Sequence, residues 1–147
     1  MPELLQVVRG GVKTAIPNLS GMSAMVIAGD LSIGDGKAYI RIGPKMQGHN
    51  IVTVAAALTA PSTSGIPTVQ IARGRQAAPG SAHAWVDVLS TRITIDQGEY
   101  DSKDAASSAM IDTANDDLQT GDLLRIDVDV PGTGAKNLII TIETQRP

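Results

Sequence analysis

The chain has 147 residues, 42% of them hydrophobic, with a mean hydropathy of +0.04 and a formal charge of −3. This is the composition of one globular domain, large enough to bury roughly two-thirds of the surface its unfolded chain exposes. No cysteine, no phenylalanine, two histidines and 2% aromatic residues exclude disulfides, thiolate zinc sites and thiol nucleophiles. They also leave little for acid–base catalysis or for stacking sugars and bases, and the acidic balance opposes a nucleic-acid partner.

The opening Met1-Pro2-Glu3-Leu4-Leu5-Gln6 lacks the basic start and apolar core of a secretory signal. The longest apolar run, residues 54–58, is far shorter than the roughly 20 residues that span a bilayer. Synthesis in the cytoplasm and no membrane partner are expected. Residues 1–36 are broken by Gly10-Gly11, Pro17, Gly21, Gly29, Gly34 and Gly36 into short apolar pieces. Two readings fit them. One is an extended glycine-rich N-terminal arm that buries Leu4, Leu5, Val7 and Val8 against another copy or another protein, losing its disorder on docking. The other is a set of edge strands completing the fold that follows.

From residue 37 to 147 the apolar period is mostly two, the period of strands. Residues 39–42, 69–72 and 93–96 alternate, and 50–55 reads as a more fully buried strand. The one helical candidate is 102–111, with Ser102 as its cap, and it competes with a strand at 109–112. Residues 124–130 alternate strictly, sending Arg125, Asp127 and Asp129 outward, and 138–143 follow as a last strand. Turn formers at 34–36, 61–65, 78–81, 120–122 and 131–134 separate these runs. Short strands at this spacing predict an all-β fold, an antiparallel β-sandwich over residues 37–147. Charge divides along the chain, with seven basic against three acidic residues through His83 and five against twelve from Ala84 onward. Such asymmetry suits complementary surfaces between copies or toward a partner, and equally two differently charged faces of one molecule.

Candidate chemistry is sparse. His49 and His83 lie in Gly-, Ala- and Ser-rich surroundings that read as surface loops, with no nucleophile elbow nearby. Asp127 and Asp129, two apart on one strand, share a solvated face and do not oppose each other across a cleft. Asp112, Asp116 and Asp117 offer oxygens for calcium, as do Asp101 and Asp104, although Asn115-Asp116-Asp117 is also turn chemistry and no EF-hand spacing is present. Residues 132–136, Gly-Thr-Gly-Ala-Lys, lie between two strands and read as a hairpin connection, with Lys136 solvated. No cofactor and no enzymatic turnover are expected.

The C-terminal half carries a resemblance. Val86-Asp87-Val88-Leu89-Ser90-Thr91, Ile93-Thr94-Ile95-Asp96, Gly98-Glu99, residues 111–117, residues 120–129 and Gly132-Thr133-Gly134-Ala135-Lys136-Asn137-Leu138 resemble proteins encoded among the structural genes of tailed bacteriophages. The resemblance covers about residues 50–143 and rests on strand and turn patterning. It implies a jelly-roll virion domain of the kind found in capsid decoration (cement) proteins and in head or tail fibre modules. A decoration protein would sit on the outer capsid surface, bind the major capsid protein and self-associate as a homotrimer. A receptor- or glycan-binding fibre module is the alternative, and would draw on Trp85 or the Asp loops. Asn137 stands where a glycine is expected, and asparagine tolerates the positive φ such a position needs.

Overall fold

The computed structural model describes residues 20–147 and, before them, the backbone of two short strands, β1 (Gln6–Arg9) and β2 (Val12–Ala15), which pair antiparallel. Ten strands follow: β3 (Ser20–Asp30), β4 (Gly34–Arg41), β5 (Asn50–Ala57), β6 (Thr68–Gln76), β7 (His83–Asp87), β8 (Leu89–Thr91), β9 (Ile93–Thr94), β10 (Met110–Ile111), β11 (Leu123–Val130) and β12 (Lys136–Gln145). Single 3-10 turns lie at Pro44–Met46 and Ser102–Asp104.

The fold is an all-β antiparallel sandwich. One sheet runs β4-β11-β6-β7, with β9 also on β6; the other runs β3-β12-β5. The β3–β4, β5–β6 and β11–β12 connections each send one strand to either sheet, so the order β3-β12-β5 repeats as β4-β11-β6. This interleaving is jelly-roll topology. Alternation explains it locally. Leu138, Ile140 and Ile142 of β12, with Ile71 of β6 and Leu124 and Ile126 of β11, are fully buried between the sheets. The core is aliphatic throughout, and β-branched isoleucine suits a pleated surface.

Several expectations need correction. Of the two readings of residues 1–36, residues 20–36 follow the edge-strand one: β3 and the start of β4 are edge strands of the sandwich, although β4 runs across the expected boundary at 36/37. Leu4 and Leu5 lie outside the described residues, as do the side chains of Val7 and Val8. Strand β5 is only half buried, with Val52 and Thr53 exposed, because among the described residues no layer covers the outer face of its sheet. The cap of the 102–104 turn is Asp101, whose carboxylate accepts the Lys103 N–H at 2.9 Å, while the Ser102 hydroxyl accepts the Ala56 N–H at 3.0 Å. Residues 110–111 form a strand. Asp127 is 3% exposed, not solvated. Its Oδ1 accepts the Gly36 N–H at 2.9 Å, and Arg125 closes over both oxygens at 2.7 and 2.8 Å. Asn137 does adopt φ 54°, and its side chain joins the Gly29 N–H to the Thr59 hydroxyl, 2.7 Å each.

Candidate functional site

Three surfaces carry what chemistry the described residues offer. The first is the outer face of β3-β12-β5. Because Ile140 and Ile142 point inward, the alternate residues of all three strands point out. They align as the rows Val26–Ile139–Ala57, Ala24–Thr141–Ala55 and Met22–Glu143–Thr53. Met22 and Val26 are 61% and 60% exposed. Glu143 is the one charge in these nine positions. A groove of about 370 Å³ opens at the Met22 end, between Val52, Glu143 and Gln145.

Beneath that end lies His49, 1% exposed, which corrects its reading as a surface loop residue. Its Nδ1 lies 2.9 Å from the Thr144 hydroxyl, and Nε2 has no hydrogen-bond partner among the described residues. Burial, helped by the positive charge of Arg146, pushes the imidazole below its ordinary 6.5. A base with a lowered folded pKa takes up its proton more readily in the unfolded chain. The ring therefore costs nothing above pH 6.5 and destabilises the fold progressively as pH falls below it. Urea unfolding between pH 7.5 and 5 should show stability falling with pH, and His49→Gln should flatten that slope; an unchanged slope would show that His49 does not set it.

The second surface is the outer face of the larger sheet. The only tryptophan, Trp85, lies across Gly74 of the neighbouring strand, where a Cβ would stand 2.8 Å from its ring. The Arg125 guanidinium lies 4.6 Å from the Trp85 ring centre, Tyr39 and His83 flank it at 6.2 and 6.0 Å, and Asp127 raises the Arg125 pKa through its hydrogen bonds. The large aromatics thus sit outside the core, with a cation on the ring. Gly74→Ala should lift the ring off the sheet at a cost of about 1–3 kcal/mol. The readout is a red-shifted tryptophan emission with a lowered midpoint; an unshifted spectrum would show that the ring has room to spare.

The third is a charge network at the Asp loops. The Arg73 side chain donates to the Asp117 carboxylate at 2.6 Å and to the Asn115 and Asp117 carbonyls. Arg75 forks onto Asp122 at 3.0 and 2.7 Å and reaches Asp117 at 3.2 Å. The Asp122 bonds raise Arg75. Burial pushes the Asp117 carboxyl up, but the two arginines outweigh it and hold the group below its usual value. Asp116 is pushed up by burial, with Asp117 and Asp112 adding to it.

These contacts favour the turn reading of Asp112, Asp116 and Asp117 over the calcium one. Asp117 is spent on arginines, and Asp112 accepts the Ala114 N–H at 3.0 Å and the Asn115 amide at 3.2 Å, as a turn residue does. Asp101 caps its 3-10 turn and Asp104 pairs with Lys103. Among the described residues no three His, Asp or Glu side chains gather as a cation site. His83 lies on β7 beside Trp85, not in a loop. Lys136 is half exposed and pairs with Asp30 at 3.5 Å. The arginine network was invisible in the sequence; the only hint was Arg73 and Arg75 at spacing two, which puts them on one face of β6. Among the described residues no helix is long and apolar enough to cross a membrane. No family model, curated protein or solved structure matches the chain.

Proposed function

We propose that the protein is a non-enzymatic structural component of a tailed-phage particle, made in the host cytoplasm and placed on the capsid surface, where it decorates the shell and binds the major capsid protein. The observation that carries this reading is the outer face of β3-β12-β5, a largely apolar surface with a single charge among its nine aligned positions, held on a jelly roll. A contiguous exposed apolar patch marks a protein-interaction site. The jelly roll alone does not assign a role; the strand and turn resemblance over residues 50–143 supports the virion. A subunit that binds only the assembled lattice stabilises it by mass action, and this needs matched surfaces rather than an active site. Leu4, Leu5, Val7 and Val8 serve as the anchors of an N-terminal docking segment.

The test is cosedimentation of the purified protein with isolated heads of the phage that encodes it. Saturable binding that is lost on deleting residues 1–16 is the expected result. Binding undiminished by the deletion would reject the docking segment, and no binding to heads would reject the proposal.

A second reading, a receptor- or glycan-binding fibre module, draws on Trp85, Tyr39, His83 and Arg125 gathered on the opposite face. Tryptophan emission titrated with host polysaccharide in the presence of calcium decides it: a saturable change favours the module, and a flat titration rejects it.

A further inference from the structure

We propose that β3 is a self-association strand, which pairs antiparallel with β3 of a second copy about a two-fold axis at Met25 and joins the two three-stranded sheets into one of six strands. The inference stands on the strand itself and not on the virion reading.

Each open sheet has two edges, and a sheet edge is a row of backbone donors and acceptors ready to pair, which folded proteins normally blunt. Three of the four are blunted here. Strand β4 carries Asp35, Lys37 and Arg41, and is kinked at Gly34 and Gly36 with φ of 147° and 69°. Strand β7 has five residues, ending in Asp87. Strand β5 is bridged at Asn50 to Asp117 and at Ala57 to Asp101, and its Ala56 N–H is taken by Ser102. Among the described residues, strand β3 differs on every count from Gly21 to Ala28. It is eleven residues long, and from Gly21 to Ala28 it holds no charge and no proline. Its one irregularity, at Gly29, is confined to the end by Asn137.

The sequence of β3 is also complementary to itself. About Met25, Met22 falls opposite Ala28 of the second copy and Ala24 opposite Val26 on the outer face, large against small in both cases. Ser23 meets Ile27 on the inner face. Asp30 is the only charge of the strand, so no like charges oppose each other across the pair. The occupant is therefore a second copy. The eight residues from Gly21 to Ala28 span about 27 Å, and pairing them buries on the order of 600 Å² in total. That is below the roughly 1,200–2,000 Å² of a stable interface. The free pair is accordingly weak, with a Kd of about 10–100 µM, and it becomes effective where copies are concentrated. Self-pairing of one strand is two-fold, so it makes a dimer and not a trimer.

The chain has no cysteine, so introduced thiols report the register directly. Opposed residues of an antiparallel pair have Cα atoms about 4.5–5.5 Å apart, within disulfide range. Under mild oxidation, an equimolar mixture of Ala24→Cys and Val26→Cys should give a covalent dimer at least fivefold more than either variant alone. Sedimentation equilibrium of the full chain should show a monomer–dimer equilibrium. Val26→Lys, at an exposed position, should weaken it at least tenfold with the melting temperature unchanged. A chain monomeric up to about 0.5 mM, well above that Kd range, would overturn the proposal. So would cross-linking indifferent to the cysteine pairing, or a trimer insensitive to Val26→Lys. A monomer that dimerises only after residues 1–19 are removed would assign the edge to the chain's own N-terminal segment, and would overturn it too.

Discussion

Asp122→Ala is expected to lower the melting temperature by about 6–12 °C. Asp122 is 2% exposed and accepts three hydrogen bonds: the Arg75 fork at 3.0 and 2.7 Å and the Gln119 N–H at 2.9 Å. Removing it leaves Arg75 beside the sheet with only Asp117, which is itself half exposed, and opens the 119–122 turn. Breaking one side of a buried pair costs about 3 kcal/mol or more, and each kcal/mol moves the midpoint of a domain this size by about 2–4 °C. The partner variant separates charge from packing. If the arginine's unpaired charge is the main cost, the double variant Arg75→Met with Asp122→Ala should recover much of the loss. A double variant as unstable as the sum of the singles would place the cost in the turn. Calorimetry or thermal circular dichroism reads both.

Gly132→Ala is expected to be comparably damaging, at about 2–4 kcal/mol, while Gly80→Ala costs about 1 kcal/mol. Both glycines hold positive φ, 68° and 81°, so both substitutions bear the left-handed penalty. They differ in what surrounds them. A Cβ at Gly80 meets nothing within 4 Å, whereas at Gly132 it would stand 2.5 Å from the Ser62 hydroxyl and 3.3 Å from Pro67. Ser62 cannot move away cheaply. It is 1% exposed, donates to the Ser64 and Gly65 carbonyls at 2.6 and 2.9 Å, and accepts the Thr133 N–H at 3.3 Å. Overpacking such a site adds about 1–3 kcal/mol. Urea midpoints of the two variants, measured side by side, check the contrast; equal losses would show that the backbone penalty alone acts at Gly132.

How much of this was legible beforehand follows from which interactions are local. Strand periodicity is local, so β6, β11 and β12 were readable from alternation and their turns from the turn formers between them, while the positive φ of Asn137 came only with the resemblance. What failed depended on partners distant in the chain. Asp127 reads as an outward charge, but the Gly36 N–H and Arg125 bury it. His49 sits among loop formers, but Thr144 and the β3 end close over it. Strand β3 is full of glycine and small residues, which suggests an arm; its partner β12, more than a hundred residues on, makes it a sheet edge. For the site, the aspartates were noticed but not the arginines that claim them, because Arg73 and Asp117 meet only through the pairing of sheets.

The interleaved hairpins have a consequence for how the molecule comes into being. Strand β12, the last of the fold in chain order, lies between β3 and β5. Strand β11 likewise separates β4 from β6. Neither sheet is continuous until these two strands arrive, so β3, β4, β5 and β6 cannot assemble into the sandwich before β11 and β12 are added. Loop-closure entropy must be met before such remote pairings return anything, which makes acquisition of the native state slow. The same wedge works in reverse: to come apart, the chain must first extract a strand held on both sides, and this gives the finished subunit persistence well beyond its equilibrium stability.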